Sequence, residues 1–189
     1  MKRETRKEEI INTAARLFKE KGYSAVTMRD IATSMGIKAA SLYNHISSKQ
    51  EILKEIIISL AEEFTDGINK ITELNNSSVE KLNAIVKLHI TITSNNTFGM
   101  ASLNNDWMHL EEQLQYYLEL RTNYENAFRN VLIEGINKNE IVNVDVEVML
   151  FSILSTLRSL YLWIPKKEDM DSIELSRNLS AILIQGINK

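Results

Sequence analysis

The sequence contains no cysteine, one proline and only six glycines among 189 residues. The missing cysteine excludes disulfides, thiolate metal sites and cysteine nucleophiles. Glycine and proline are scarce, and no Asn-Gly or Asp-Gly pair sits between alternating apolar runs, so hairpin signals are absent. The expectation is an all-α fold. Catalytic signatures are missing as well: there is no His-Glu-x-x-His, Gly-x-Ser-x-Gly, Gly-x-Gly-x-x-Gly or P-loop. The three histidines, His45, His89 and His109, do not fall at metal-ligand spacing. No metal and no cofactor is expected, and an all-α enzyme is the least supported class of function. The first residues, Met1 to Glu9, are charged and lack the apolar run of a signal peptide. The most apolar stretch, Val146 to Ile164, is short for a bilayer span and carries Glu147 and Arg158. A cytoplasmic chain with no membrane partner is therefore expected.

What is present is an apolar content of 44%, enough for a sizeable core, and an uneven charge. The net charge is −3. Residues 1–50 hold ten Lys/Arg against five Asp/Glu, or +5; the remainder holds twelve against twenty, or −8. A basic head on an acidic body suits a molecule that meets phosphate at one end only, although chance surface charge produces the same split.

Apolar periodicity divides the chain into helices. Ile10, Ile11, Ala14, Leu17 and Phe18 line one face of a helix over 6–21, closed by Gly22. Thr27-Met28-Arg29-Asp30 is a capping start for a short helix that buries Ile31, Ala32 and Met35. Gly36 breaks it, and a second short helix over 38–45 buries Leu42 and Ile46. Two short helices across a glycine turn form a helix-turn-helix pattern. Ser48-Lys49-Gln50-Glu51 opens a long helix over 49–74. Further helices are predicted from Ser77-x-x-Glu80, over 107–137, over 144–164, and from Asp171 to about 187, with 95–106 irregular or a short helix. No Pro/Gly-rich linker separates head from body; the helix from Lys49 joins them.

The motifs Gly22-Tyr23, Thr27-Met28-Arg29-Asp30-Ile31-Ala32, Gly36-Ile37, Ser41-Leu42-Tyr43-Asn44-His45-Ile46 and Ser48-Lys49-Gln50-Glu51-Ile52-Leu53 come in order within the first quarter of the chain. They closely resemble the signature of the tetracycline-repressor (TetR) family. There, Gly-Tyr, Thr-x-x-Asp-Ile-Ala, Gly-Val, Leu-Tyr-x-His-Phe and Ser-Lys-x-x-Leu follow at these spacings. The resemblance implies a three-helix helix-turn-helix DNA-binding domain over 1–48. A helical-bundle domain for effector binding and dimerisation would follow over 49–189, about nine helices in all. It also implies a sequence-specific regulator, a repressor released from double-stranded operator DNA by a small-molecule effector. The alternative is a ligand-binding or scaffold protein with a vestigial helix-turn-helix.

The chemistry of the motif fits DNA. Thr27 and Lys49 stand at helix starts, where unpaired amides favour phosphate. Tyr43, Asn44 and His45 end the second short helix, where hydrogen bonds to phosphate set register. Lys38, Ala39, Ala40 and Ser41 begin that helix, the part that enters the major groove. Lys38 suits guanine, and an alanine methyl suits the thymine methyl. Ala40 stands where the family often has glycine, and Ile46 replaces the usual phenylalanine. The first departure bears on which operator is read.

In the body, Ser152, Ser155 and Ser159 form a small-residue stripe. With Leu175, Leu179, Ile182 and Leu183 of the last helix, it resembles the helix pair of the family's homodimer interface. Family resemblance also implies an effector cavity, with Phe64, His89, Trp107, Tyr124, Phe128 and Phe151 as candidates. Plain core packing is the alternative for each, and a satisfied core histidine for His89. Arg158 has two readings: an ion pair with Glu174 of the partner subunit, or an anchor for an anionic effector. Asp106-Trp107-Met108-His109-Leu110, Arg121, Tyr124, Glu125, Phe128, Gly135 and Trp163-Ile164-Pro165 look like the body of members that sense lipid-derived or acyl-CoA-like ligands.

Overall fold

The computed structural model describes residues 5–167 and 171–187. Lys2 and Arg3 of the basic head lie outside them. Among the described residues the chain is helical, with no β-strand. Its helices are α1 (Arg6–Lys21), α2 (Met28–Ser34), α3 (Ala39–Tyr43), α4 (Lys49–Glu73), α5 (Ser78–Asn95), α6 (Thr97–Asn105), α7 (Leu114–Asn137), α8 (Val146–Arg158), α9 (Leu160–Trp163) and α10 (Ser172–Leu183). The fold divides into two compact units. One takes the N-terminal residues through Ala61 together with Phe98–Tyr117, and the other takes Glu62–Thr97 together with the chain from Leu118 onward. The first unit thus extends beyond the 1–48 span read from the motif.

In the first unit, α1 opens on a capping box in which Thr5 and Glu8 exchange side-chain and backbone bonds. It buries Ile10, Ala14, Leu17 and Phe18. Gly22 ends α1 at φ +85°, a backbone that favours glycine, and its N–H donates to the Phe18 carbonyl at 2.8 Å. Thr27 and Asp30 form a second capping box. Gly36, at φ +66°, makes the turn into α3. Leu42 and Ile46 are buried, and the first turns of α4 add Ile52, Leu53, Ile56 and Ile57 to the same core.

The long helix expected from Trp107 starts seven residues later. Trp107–His109 and Glu111–Gln113 are 3-10 turns, and Glu111 has φ +47°. The reason is tertiary: the Gln50 amide donates to the His109 carbonyl at 2.8 Å, and the His109 ring stacks on Tyr23 with centroids 5.1 Å apart. That carbonyl is taken from the helical ladder that the apolar pattern predicts.

In the second unit, Ser77 and Glu80 cap α5, which packs against α8, α9 and α10. At Gly67, a β-carbon would lie 2.6 Å from Leu88 Cδ1, so glycine permits the close approach of α4 and α5. Asp145 caps α8 by accepting from the Val148 N–H at 3.0 Å. The predicted 144–164 helix is interrupted at Ser159. Hydroxyls of Ser152, Thr156 and Ser159 donate to carbonyls four residues back, at 2.7, 3.2 and 2.7 Å. Such back-bonding competes with the ladder and bends helices.

Candidate nucleic-acid interface and buried aromatic cluster

The surface of the helix-turn-helix follows from what holds it down. Leu42 and Ile46 fix α3 from below, and the side chains around them face solvent. Lys38, Ala40, Tyr43, Asn44 and His45 are exposed; Ala39 and Ser41 are half-buried. Tyr43 is 53% exposed, too open for a packing residue. The structure thus brings seven of the nine expected contact residues onto one short segment, 38–45. Arg29 is exposed on α2 as well, though the motif alone did not single it out.

The other two residues are held differently. Thr27 is exposed, but its hydroxyl donates to Asp30 Oδ2 at 2.6 Å and accepts from the Asp30 N–H at 3.2 Å. The Thr27 hydroxyl and the Thr27 backbone N–H, which donates to Asp30 Oδ2 at 2.8 Å, together hold the Asp30 carboxyl below its ordinary range. Lys49 turns its ammonium inward. It donates to the carbonyls of Tyr23 and Val26 at 2.9 and 2.8 Å and lies 4.2 Å from the centre of the Tyr23 ring. Tyr23 also meets Phe18 edge-on at 5.0 Å. Burial, then Glu111 and Asp106, push its phenol up to about 12. The Lys49 ammonium is therefore held on the head's own carbonyls.

In the second unit, four of the expected pocket residues come together. Phe64, His89, Tyr124 and Phe128 are all buried. The Phe64 ring lies 4.6 Å from His89 and 5.9 Å from Tyr124, and Tyr124 lies 6.4 Å from Phe128. His89 Nε2 is 2.7 Å from the Tyr124 hydroxyl. Burial, with help from Arg158, pushes His89 down to about 3, so its ring is neutral. Burial also raises the Tyr124 phenol well above its ordinary value. Trp107 belongs to the first unit, where it stacks on Tyr117 at 5.9 Å.

Phe151 is placed elsewhere: it is 72% exposed on α8. The helix is apolar nearly all round, so periodicity did not separate its inner and outer faces. Val148, Phe151, Ile173 and Ile182 are exposed apolar side chains of α8 and α10, and Ser152, Ser155 and Ser159 are exposed too. Leu179 and Leu183 are half-buried, while Leu175 is buried in this chain's own core and leaves the exposed face to Ile173 and Ile182.

Arg158 finds its partner within the chain. Its guanidinium donates to Glu125 Oε1 at 2.6 Å, and Arg121 reaches the same oxygen at 3.1 Å. Burial alone would raise the Glu125 carboxyl, but the two arginines outweigh it and hold it low. Sequence reasoning named Glu125 in the body motif but missed it as the partner of Arg158. The Arg121/Glu125 spacing of four on α7 was the available signal, but the link to Arg158 is tertiary.

Comparison with known proteins decides the family. Residues 10–56 match the family model of bacterial regulatory proteins of the tetR family, and residues 75–187 match the tetracyclin repressor-like C-terminal domain. The chain belongs to the TetR family. Over 146 residues it is 30% identical to the HTH-type transcriptional repressor KstR2 of Rhodococcus jostii, covering 76% of this chain and 72% of that one. Its head is 49% identical over 51 residues to IcaR of Staphylococcus aureus, a negative transcriptional regulator of the biofilm operon icaADBC; that match spans 27% of each chain. In fold, it superposes on the structure of the ketosteroid transcriptional regulator KstR2 of Mycobacterium tuberculosis with a TM-score of 0.91. That alignment has 22% identity and covers 100% of this chain and 97% of the other. This TetR-family chain is a DNA-binding transcriptional regulator, not an enzyme. Regulators of the family bind operator DNA and effector ligands and act as dimers.

Proposed function

We propose that the chain is a cytoplasmic, homodimeric repressor that grips its operator through the segment 38–45. The carrying observation is the division of labour around α3: Leu42 and Ile46 anchor it while Lys38, Ala40, Tyr43, Asn44 and His45 stay free for DNA. Lys38, Ala39, Ala40 and Ser41 read bases; Tyr43, Asn44 and His45 set register on phosphate. Thr27 and Lys49 shape this surface from within. The exposed apolar residues of α8 and α10 join two copies, because a two-fold dimer supplies two heads for two half-sites. The body holds a lipid-derived effector against the Phe64–His89–Tyr124–Phe128 cluster, with Arg158 as anchor for an anionic end such as that of an acyl-CoA. Release follows only if that effector binds the DNA-free state better than the DNA-bound state.

The test is fluorescence anisotropy with the DNA flanking the chain's own coding sequence, at several salt concentrations. Affinity should fall steeply with salt, because each phosphate contact releases a counterion. Saturable binding with a flat salt response would sink the phosphate contacts, and no binding to any such DNA would sink the repressor reading.

A further inference from the structure

The aromatic cluster and the next turn of α5 hold two buried polar atoms, His89 Nδ1 and Thr93 Oγ1, without a hydrogen-bond partner among the described residues. They stand four residues apart, on consecutive turns of one face of α5. Both residues are almost fully buried, His89 at 3% exposure and Thr93 at 0%. Unpaired polar groups are rare in protein interiors, and those that persist need a reason.

The proton inventory fixes what they can recognise. The Tyr124 phenol is neutral, and its hydroxyl must place its proton. The acceptor in reach is His89 Nε2, at 2.7 Å. A neutral imidazole that accepts at Nε2 carries its own proton at Nδ1. The orphan Nδ1 is therefore a donor, and the Thr93 hydroxyl is a second donor one turn away. Phe64 and Phe128 line the same cluster with hydrocarbon. The nearby Arg158 charge, which acts on both His89 and Tyr124, is already paired with Glu125 at 2.6 Å, so two uncharged donors beside a paired charge match a neutral acceptor.

We propose that His89 Nδ1–H and the Thr93 hydroxyl together form a receptor for the carbonyl oxygen of an apolar effector: a ketone, ester or thioester rather than a free acid at this point. This deepens the effector reading given above and rests on it. It adds an assignment of polar function to α5: Tyr124 acts as the positioning residue that sets the His89 tautomer.

The experiment uses a matched pair of probes, 1-tetralone and its parent hydrocarbon tetralin, titrated calorimetrically into the full chain without DNA. The wild type should prefer the ketone by about tenfold or more, the scale of one well-made buried hydrogen bond. Thr93→Val, which keeps shape and removes the donor, should cut that preference to about twofold and leave tetralin binding unchanged. Nitrogen NMR of the imidazole should show the proton on Nδ1 of His89, with a shift on adding the ketone; this readout needs no variant. Equal affinity for the two probes, no ketone binding up to its solubility limit, or a proton on Nε2 each overturns the proposal. So does a preference that Thr93→Val leaves intact, since an ordered water would then be the occupant. A ketone that binds as expected yet leaves DNA affinity unchanged supports this site and sinks the release reading alone.

Discussion

In the first unit the motif's polar side chains lie outside an apolar core: Lys38, Asn44 and His45 face solvent while Leu42, Ile46 and Ile52 are buried. In the second unit the most informative polar side chains lie inside: His89, Thr93 and Tyr124 are buried, His89 and Tyr124 against aromatic rings. The two proposed ligands account for the difference. A nucleic acid presents its phosphates and base edges to an outer surface, so a head that reads it is apolar beneath and polar above. A small molecule is engulfed, so the groups that recognise it must tolerate burial when it is absent. Polar residues that look idle in the folded chain are thus informative in the body, whereas in the head the informative ones are exposed.

The largest expected effect tests whether the cluster is a core. Phe128 is fully buried and meets Tyr124 edge-on. Phe128→Ala should lower stability by about 3–5 kcal/mol in urea unfolding, the usual result of truncating a packed phenylalanine. A loss under about 1 kcal/mol would mean that the cluster is loosely packed and already behaves as a cavity. That result would sharpen the contrast with the head rather than weaken it.

The next effect concerns pH. His89 stays neutral in the fold down to about pH 3, against 6.5 for the free side chain. Between those values the unfolded chain holds a proton that the folded chain lacks. Stability therefore falls as pH drops, by close to 1.4 kcal/mol per pH unit from this group, or about 2–3 kcal/mol between pH 6 and 4. The capping carboxylates Asp30, Glu51 and Glu80 are held low in the fold and pull in the same direction. The decisive measurement is the proton uptake on unfolding between pH 4 and 6, which His89→Phe should reduce by about one proton. Unchanged uptake would place His89 in contact with water and remove it from the buried group.

How much of this was legible in the sequence differs between the units for a physical reason. Caps and breaks in the head are local: Thr27 with Asp30, Gly22 and Gly36 act within a few residues, so the boundaries of α1 and the turn into α3 follow from the chain itself. The effects that the sequence hid are tertiary. Gln50 takes the His109 carbonyl and turns the expected start of a long helix into 3-10 turns. Arg158 finds Glu125 on another helix, and Phe151 faces outward from a helix whose composition is apolar on every side. Identity of the buried aromatics was legible from their types, but their grouping was not, since Phe64, His89 and Tyr124 are far apart in sequence.

The finest test separates two residues that the motif presents alike. Both Tyr43 and Lys49 sit in the helix-turn-helix signature with donors suited to phosphate, yet one faces solvent and the other holds the Tyr23 and Val26 carbonyls. Lys49→Met keeps the aliphatic stem and removes the ammonium. It should lower stability by about 1.5–3 kcal/mol, the range for hydrogen bonds from a charged donor. Tyr43→Phe should leave stability within about 0.5 kcal/mol, as for most surface substitutions. It should weaken DNA binding by about two- to tenfold, equally for operator and for unrelated DNA, because a phosphate contact carries no sequence information. A loss confined to the operator would move Tyr43 from register-setting to base reading. If Lys49→Met instead spared stability and weakened DNA binding with a smaller salt dependence, the inward clamp would give way to a direct phosphate contact, and the head would lose its one inward exception to the contrast with the body.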